Sequence, residues 1–475
     1  MNRFFLLSLS LIVAIACQNE KAIRETKTPP NIILIVADDL DYGDLSVYGQ
    51  QHFSTPNIDR LAQNGMMFTQ FYSGSTVCAP SRSALMTGQH TGHTPIRGNK
   101  EVRPEGQHPL PPGTPTLAKM LQKAGYATGA FGKWGLGAPG STGDPLAQGF
   151  DTFYGYNCQR FGHHYYPTHL WHNRDSIVLT QNQNKADALY GPDLIHQQTL
   201  QFIESHKEKP FFLFVPSIIP HAELAAPEAA MAPFRDQFLP EKRFKGVDDG
   251  PTFGQGPYRS QEACHAAFAA MVSILDQQVG DILDRVEALG LSENTLILFT
   301  SDNGPHLEGG ADPDYFDSNG IFRGYKRDLY EGGIRVPLLA QWPGKIAPQS
   351  KSNHVAAFWD LFPTLYSLIE TQQESYNDGI SFLPTLLGQE NQKAHAYLYW
   401  EFHEKGGRQA LRQGDWKLVK YNVFSGDQAQ VALFDLGKDP AETTNLAEAH
   451  PEQLKRMEDL LLQARTPSPD FSFND

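Results

Sequence analysis

Residues 31–43, NIILIVADDLDYG, decide the fold class of this chain. Positions 32–37 form a continuous apolar run, which is typical of a central strand buried on both faces of a parallel sheet. The stretches PFFLFVP (210–216) and NTLILFTSDNG (294–304) have the same character. The sequence therefore predicts several buried parallel strands.

Amphipathic segments separate these strands. Segment 114–126 has apolar residues at helical spacing and ends at Gly125, and segment 264–290 carries a longer apolar stripe that ends at Gly290. Strands that alternate with such helices predict an α/β fold, in which a large and mostly parallel central sheet is flanked by helices.

The last part of the chain has a different pattern. Short, alternating stretches separated by turns predict a small antiparallel sheet at 396–402, 408–422 and 431–440. An amphipathic helix at 450–465 follows them. We therefore predict a large domain at 30–388 and a small C-terminal α+β subdomain at 389–475.

The first residues resemble an export signal. Arg3 precedes an apolar run at 4–15, and a small residue stands before Cys17, as in a bacterial lipoprotein signal peptide. Residues 1–17 are predicted to be this signal, with Cys17 as the lipidated N-terminus, and residues 18–29 a polar tether. Plain secretion and a structural role of Cys17 are the alternatives. The prediction is an exported protein of a Gram-negative bacterium, periplasmic or anchored in the outer membrane by lipid alone.

The net charge of the chain limits the kinds of partner that it can bind through electrostatic attraction. The 475 residues include 39 Lys and Arg against 53 Asp and Glu, a formal net charge of −14. Such a balance argues against binding to nucleic acid or to an anionic membrane surface through charge. An anionic small substrate is not excluded, because a few local cations can dominate one pocket.

Cysteine is sparse, and four are present in the whole chain. Without Cys17 the folded part keeps Cys78, Cys158 and Cys264, and an odd number leaves at least one unpaired or engaged in chemistry. Cys158 and Cys264 could pair, or each could be a small buried apolar residue.

Acidic residues follow two of the buried strands. Asp38 and Asp39 come after the first strand, and Asp302 and Asn303 after the strand at 294–304. Either pair alone is more often a helix cap or a turn. Ligands bind at the carboxyl ends of strands in open α/β sheets, so the two pairs together predict a cation site. Oxygen ligands favour Ca²⁺ or Mg²⁺.

Cys78 stands at the start of a predicted helix. A helix N-terminus favours an anion, and Arg82 adds a guanidinium that fits tetrahedral oxyanions. Lys133, His221 and Lys326 lie in loops rich in glycine or proline, where each alone would more often be a surface group. Together with a divalent cation they would bind an oxyanion ester and stabilise its transfer.

The motif CAPSR (78–82), followed by TG, resembles the formylglycine signature of the type I sulfatases, which belong to the alkaline-phosphatase-like superfamily. Further motifs resemble this family and come in its order: ADD (37–39), GKWGLG (132–137), SDNG (301–304), YEGGIRVP (330–337), LRQGDWKLV (411–419) and ALFDLGKDPAETTNLA (432–447). The resemblance covers nearly the whole chain after the tether.

The resemblance implies that a maturation enzyme oxidises Cys78 to formylglycine, whose hydrated form attacks sulfur and later eliminates sulfate. It also implies a divalent cation, usually Ca²⁺ and possibly replaced by Mg²⁺. The implied ligands are Asp38, Asp39, Asp302, Asn303 and the modified Cys78.

The other implied roles concern the sulfate and the leaving group. Arg82 would orient the diol, Lys133 and Lys326 would hold sulfate oxygens, and His221 would protonate the leaving alcohol. Many sulfatases have a histidine where this chain has Gly135, so the base for elimination is missing there. His93 is the predicted replacement, and an exposed loop histidine is the alternative.

The function implied is a sulfuric ester hydrolase that removes sulfate from a sulfated carbohydrate. The export signal and the stretch 157–173, rich in histidine and aromatic residues, favour a sugar, with His163 and His164 as substrate-binding residues. A packed insert loop is the alternative for that stretch. A phosphodiesterase or phosphonate monoester hydrolase of the same superfamily, or a catalytically dead glycan-binding surface lipoprotein, are the alternative functions.

Overall fold

A large mixed β-sheet with helices on both faces forms most of the molecule, and a second, four-stranded antiparallel sheet lies toward the C-terminus. This computed structural model describes residues 29–369 and 377–473. The architecture confirms the predicted fold class. The predicted signal peptide with Cys17 lies outside the described residues, as does the tether up to residue 28.

The strands of the large sheet begin with the predicted central one. In chain order they are β1 (Asn31–Asp38), β2 (Met66–Tyr72), β3 (Ala127–Lys133), β4 (Thr152–Tyr156), β5 (His169–His172), β6 (Asp175–Val178), β7 (Phe211–Pro220), β8 (Thr295–Ser301), β9 (Arg335–Gln341), β10 (Ser350–Ser352) and β11 (Ala356–Ala357). Every residue of β1 is buried, because β7 and β8 pair with its two edges and helices cover both faces.

The centre of this sheet is parallel, and each flank contains antiparallel pairs. Strands β8, β1, β7, β3 and β4 are parallel neighbours, as the apolar runs predict. Strand β9 is antiparallel to both β8 and β2, and the β5–β6 hairpin continues the other flank. The parallel centre brings the carboxyl ends of β1, β3, β7 and β8 to one edge.

The α-helices lie on both faces of the large sheet, apart from the last one, which packs on the smaller sheet. They are α1 (Pro56–Gln63), α2 (Cys78–Thr87), α3 (Leu117–Lys123), α4 (Gly191–Ser205), α5 (Glu228–Met231), α6 (Cys264–Ala288), α7 (Pro313–Phe316), α8 (Glu331–Ile334), α9 (Leu361–Leu368), α10 (Leu383–Leu386) and α11 (Pro451–Gln463). Within the described ranges, α6 alone is long and apolar enough to cross a membrane. Its apolar side chains lie in the main hydrophobic core, as in the core helix of a globular domain.

The second sheet confirms the predicted antiparallel one. Its strands are β12 (Leu398–Phe402), β13 (Arg408–Gln413), β14 (Trp416–Tyr421) and β15 (Gln430–Asp435), paired in that order. Helix α11 packs on one face through Met457 and Leu461. The domain boundary predicted between residues 388 and 389 falls between α10 and β12, and its position stays a prediction.

The cysteines of the described chain are unpaired. Cys78, Cys158 and Cys264 are all buried free thiols, so Cys158 and Cys264 do not form a disulfide in this structure. Cys158 and Cys264 fit the alternative of small buried residues.

Candidate active site

The acidic residues predicted at the strand ends meet in one buried cluster. Strands β1 and β8 are parallel neighbours, which places the residues after each strand side by side. The main-chain N–H of Asp39 donates to Asp302 Oδ1 at 3.3 Å, and Asn303 Nδ2 donates to Asp39 Oδ1 at 2.6 Å. These side chains and that of Asp38 have no exposure to solvent.

Cys78, the first residue of α2, joins this cluster. Its Sγ lies 3.2 Å from Asp38 Oδ1. Ligand atoms of Asp38, Asp39, Cys78 and His221 lie within 4.8 Å of one another, so this group could hold a metal ion. Burial raises the pKa of the Cys78 thiol, and the neighbouring Asp38 raises it further.

Two ammonium groups approach the sulfur of Cys78. Lys133, the last residue of β3, places Nζ 2.6 Å from Asp38 Oδ2 and 3.8 Å from Cys78 Sγ. Lys326, in the loop between α7 and α8, places Nζ 2.7 Å from Asp39 Oδ2 and 3.8 Å from the same sulfur. Burial opposes ionisation of Asp38, yet Lys133 and the other nearby cations hold its pKa well below the usual range.

Arg82 lies on the next turn of α2 and ties the cluster together. Its Nε and Nη2 donate to Asp302 Oδ2 at 3.1 and 2.9 Å, and Nη2 lies 3.4 Å from Asp38 Oδ2. It also donates to the main-chain oxygen of Lys133. Burial raises the pKa of Asp302 to about 7, with Asp38 as the next contributor.

His221 follows directly after β7 and completes the group. Its Nε2 lies 2.9 Å from Lys326 Nζ and 3.4 Å from Asp39 Oδ2, and its Nδ1 contacts the main-chain oxygen of Ala222. Burial and the charge of Lys326 lower the pKa of His221 well below its usual range. His306 stacks on its ring at 5.5 Å between centroids. Sequence reasoning did not select His306, although it follows the SDNG motif closely.

The two histidines predicted to bind substrate have different surroundings. His163 is partly exposed and stacks on His221, with ring centroids 4.6 Å apart and planes 12° from parallel. His164 is buried, and both of its ring nitrogens are engaged, by Glu223 Oε2 at 3.2 Å and by the N–H of Gly256 at 3.0 Å. The geometry therefore favours a substrate contact at His163 and leaves His164 supporting the loop.

His93, the predicted elimination base, lies with a different set of residues. It follows the C-terminal end of α2, and a helix of 10 residues is about 15 Å long, so it starts far from Cys78. Its Nδ1 lies 2.9 Å from Asp378 Oδ1, and its ring stacks on His90 at 4.5 Å. This position does not support a role for His93 at Cys78.

Comparisons with known proteins identify the family of this chain. The family model described as "Sulfatase" matches residues 30–371, and that described as "N-sulphoglucosamine sulphohydrolase, C-terminal" matches residues 319–466. The chain is 30% identical to an N-acetylgalactosamine-6-O-sulfatase of Bacteroides thetaiotaomicron, over 92% of this chain and 93% of that protein. It is 33% identical to arylsulfatase A of Bos taurus, over 92% and 88% of the two chains.

Solved structures show the same likeness. The crystal structure of Ps i-CgsB in complex with k-i-k-neocarrahexaose superposes with a TM-score of 0.75 at 28% identity, over 93% of this chain and 94% of that one. A phosphonate monoester hydrolase of Agrobacterium radiobacter, at 21% identity and a TM-score of 0.64, shares the fold. With the family model covering most of the chain, the protein belongs to the sulfatase family and is a sulfuric ester hydrolase.

Proposed function

We propose that this protein removes sulfate from a sulfated carbohydrate, using formylglycine made from Cys78. The observation that carries the proposal is the pair of ammonium groups, on Lys133 and Lys326, each 3.8 Å from Cys78 Sγ. Positive groups on two sides of the reacting position are what an ester with a charged, tetrahedral head requires.

The cation in this proposal is Ca²⁺, with Mg²⁺ as the substitute. The ligands would be Asp38, Asp39, Asp302, Asn303 and the modified Cys78. Their fit rests on the oxygen-rich donor set and on Asn303 Oδ1, which is buried and accepts no hydrogen bond within the described chain. A bound ion would supply positive charge beyond that of the three nearby cations, and a Lewis acid beside the substrate.

The proposed roles of the other site residues follow from their positions around Cys78. Lys133 and Lys326 would hold sulfate oxygens, and Arg82, fixed by Asp302, would keep the residue at position 78 oriented. His221 Nε2 faces Lys326 and the reacting position, so once the ring is protonated it is the atom from which a proton would pass to the leaving alcohol.

The proposal of a carbohydrate substrate rests on similar proteins and on the position of His163 beside the active site. Several similar proteins are named N-acetylgalactosamine-6-sulfatase or N-acetylgalactosamine-6-O-sulfatase, and one similar structure was solved in complex with k-i-k-neocarrahexaose. His163, partly exposed and stacked on His221, offers a ring beside the leaving group. Galactose-type sugars with a 6-O-sulfate are therefore the first substrates to test.

A desulfation panel tests this function. We expect the matured enzyme to release sulfate from at least one sulfated mono- or oligosaccharide, N-acetylgalactosamine 6-sulfate first. It should act far more slowly on the matching phosphate esters, and the Cys78→Ala variant should be inactive. Faster hydrolysis of phosphodiesters or phosphonate esters, or glycan binding without any hydrolysis by protein that carries formylglycine, would overturn the proposal.

Maturation and export are part of the same proposal. Conversion of Cys78 requires a formylglycine-generating or sulfatase-maturating enzyme, which acts in this proposal as the protein partner. Mass spectrometry of the peptide containing Cys78 should detect the aldehyde, and active protein with only an unmodified thiol would contradict the mechanism. Similarity to the Bacteroides sulfatases supports an exported protein, and Cys17 would be its lipid anchor.

A further inference from the structure

A loop after β4 covers the lysine loop of the active site. Strands β3 and β4 are parallel, with Lys133 opposite Tyr156. The pairing continues beyond the strands, because the N–H of Trp134 donates to the oxygen of Tyr156 at 2.8 Å and that of Gly135 to the oxygen of Asn157 at 3.0 Å. The residues after Asn157 are thereby held over the lysine that would bind sulfate.

Gln159, in this loop, occupies the space beside Gly135. A Cβ atom at position 135 would lie 1.9 Å from Gln159 Nε2. Gly135 has a φ of +77°, in the left-handed region that glycine tolerates best. Any side chain at position 135 would therefore have to displace the amide of Gln159. In the position it takes here, the side chain of Gln159 thus fills the space that a residue larger than glycine at position 135 would need.

The amide of Gln159 has no partner in the fold. The residue is 7% exposed, and neither Oε1 nor Nε2 makes a hydrogen bond within the described chain. Its main-chain N–H is held by Gln107 Oε1 at 3.4 Å, so the side chain is anchored at its base only. Buried amides are nearly always paired, and one left unpaired calls for a ligand or water. Asn157 is also unpaired but has no exposure, whereas part of Gln159 reaches the surface although its two amide atoms are themselves buried.

The chemistry of an amide limits what this residue can do. It donates and accepts hydrogen bonds, but it does not take up a proton near neutral pH. It therefore cannot replace a histidine base. It can pair with a sulfate oxygen or with a sugar hydroxyl, the two kinds of polar group that a sulfated sugar would present beside Lys133.

We propose that Gln159 is a substrate-binding residue whose amide hydrogen-bonds an oxygen of the sulfated sugar held at Lys133. The inference rests on the proposed function. It assigns Gly135 the role of making room for that contact.

Binding to protein with the Cys78→Ala substitution tests this without depending on maturation. Isothermal titration calorimetry would compare N-acetylgalactosamine 6-sulfate, its unsulfated parent sugar and sodium sulfate. In this background Gln159→Met, which keeps the volume and removes the amide, should weaken binding of the sulfated sugar by about 10-fold, as the loss of one buried hydrogen bond does. Its melting temperature should not fall, because no bond within the protein is lost.

Two matched controls separate this role from a structural one. Gln409→Met in β13 removes the donor to Tyr399 Oη at 2.8 Å, so it should lower the melting temperature and leave binding unchanged. Gly135→Ala should reproduce the binding defect by displacing Gln159. Gly140→Ala should not, since Gly140 has a similar φ of +75° and no atom within 4 Å of the added Cβ.

The outcomes separate the role of Gln159 from the proposed substrate class, and they show which oxygen its amide contacts. Parallel weakening of sodium sulfate and the sulfated sugar would assign the contact to a sulfate oxygen, and weakening of the sugar alone would assign it to a sugar oxygen. Both results support Gln159 as a substrate contact. Unchanged affinity of Gln159→Met for every probe that its parent binds would overturn the inference alone. No binding of any probe by the Cys78→Ala parent would overturn it together with the substrate class.

Discussion

Lys417 in β14 is a buried cation between the two sheets, and Lys417→Met tests what holds the Lys326 loop. Its Nζ lies 2.8 Å from Glu331 Oε1 and 3.0 Å from Glu442 Oε1, and none of the three side chains is exposed. Glu331 begins α8, directly after the loop that carries Lys326. Residues of β13 and β14 also contact this loop, since Tyr421 Oη accepts from the N–H of Leu329 at 3.0 Å.

The expected loss of stability in Lys417→Met follows from the burial of the ion pairs that Lys417 makes. Removing one partner of a buried ion pair leaves the other charge unpaired, at a cost of about 3–5 kcal/mol. An unfolding entropy of about 2.1 cal/mol/K per residue gives about 1 kcal/mol/K for this chain of 475 residues. The melting temperature should therefore fall by ~3–5 °C, and kcat/KM should fall with it as Lys326 loses its support.

The loss of stability in Lys417→Met relative to the parent should depend on pH. Burial raises the pKa of Glu442 to about 7 even with Lys417 beside it, and without that cation the pKa rises further. The variant then keeps a proton that the parent releases above pH 7. The parent's stability advantage is therefore larger at pH 8 than at pH 6.

Scanning calorimetry at fixed scan rate and ionic strength measures both effects. Lys438→Met, which removes an exposed pair with Asp435, serves as the control and should leave the melting temperature unchanged. Melting of Lys417→Met within about 1 °C of the parent at pH 8 would refute the reasoning, as would a deficit that grows toward pH 6.

Further predictions concern the active site and the anchor. His221→Ala should slow turnover about 10²–10⁴-fold for sugar sulfates and much less for nitrophenyl sulfate, whose leaving group needs no proton, and equal losses would contradict the acid role. Asp302→Ala should lose bound Ca²⁺, measured by elemental analysis, and most activity; near-normal activity in this variant or in strong chelator would refute the ligand set. His93→Ala should turn over at the parent rate without a burst, because His93 lies with Asp378 beyond the far end of α2, and a burst of alcohol followed by slow turnover would restore it as the base. Cys17→Ser should leave the membrane fraction yet remain active once purified, and unchanged membrane association would point to another anchor.

Local sequence patterns predict the centre of the fold because burial there is complete on both faces. The apolar runs of β1, β7 and β8 need no polar alternation, and each is a strand in the structure. The direction of β9 could not be predicted in this way. Its sequence, RVPLLAQ, is also apolar and buried, and a buried run has the same pattern whether its neighbours are parallel or antiparallel.

The same distinction between buried strands and other segments applies to the residues of the active site. Residues that follow buried strands, such as Asp38 and Asp302, could be placed together because parallel neighbours end at one edge. Loop residues such as Lys326 could be placed with them only through the family motif, and nothing in the sequence states that His163 stacks on His221 while its neighbour His164 turns to Glu223. The position of Gln159 beside Gly135 could not be predicted either, because it depends on how the loop after β4 crosses the end of β3.

The balance of charge in the site explains how an acidic protein can attract an anionic ester. Three buried carboxylates lie among three buried cations, so the cluster alone sums to about zero: Asp38, Asp39 and Asp302 against Arg82, Lys133 and Lys326. A divalent ion added to this cluster leaves two positive charges uncompensated. At about 5 Å and an effective dielectric constant of about 20, each attracts a sulfate charge by ~3 kcal/mol. The formal net charge of −14 is spread over the whole surface and screened by salt, so it opposes this local attraction only weakly. With the proposed ion bound, anion recognition would therefore be a property of the metal site together with the two lysines.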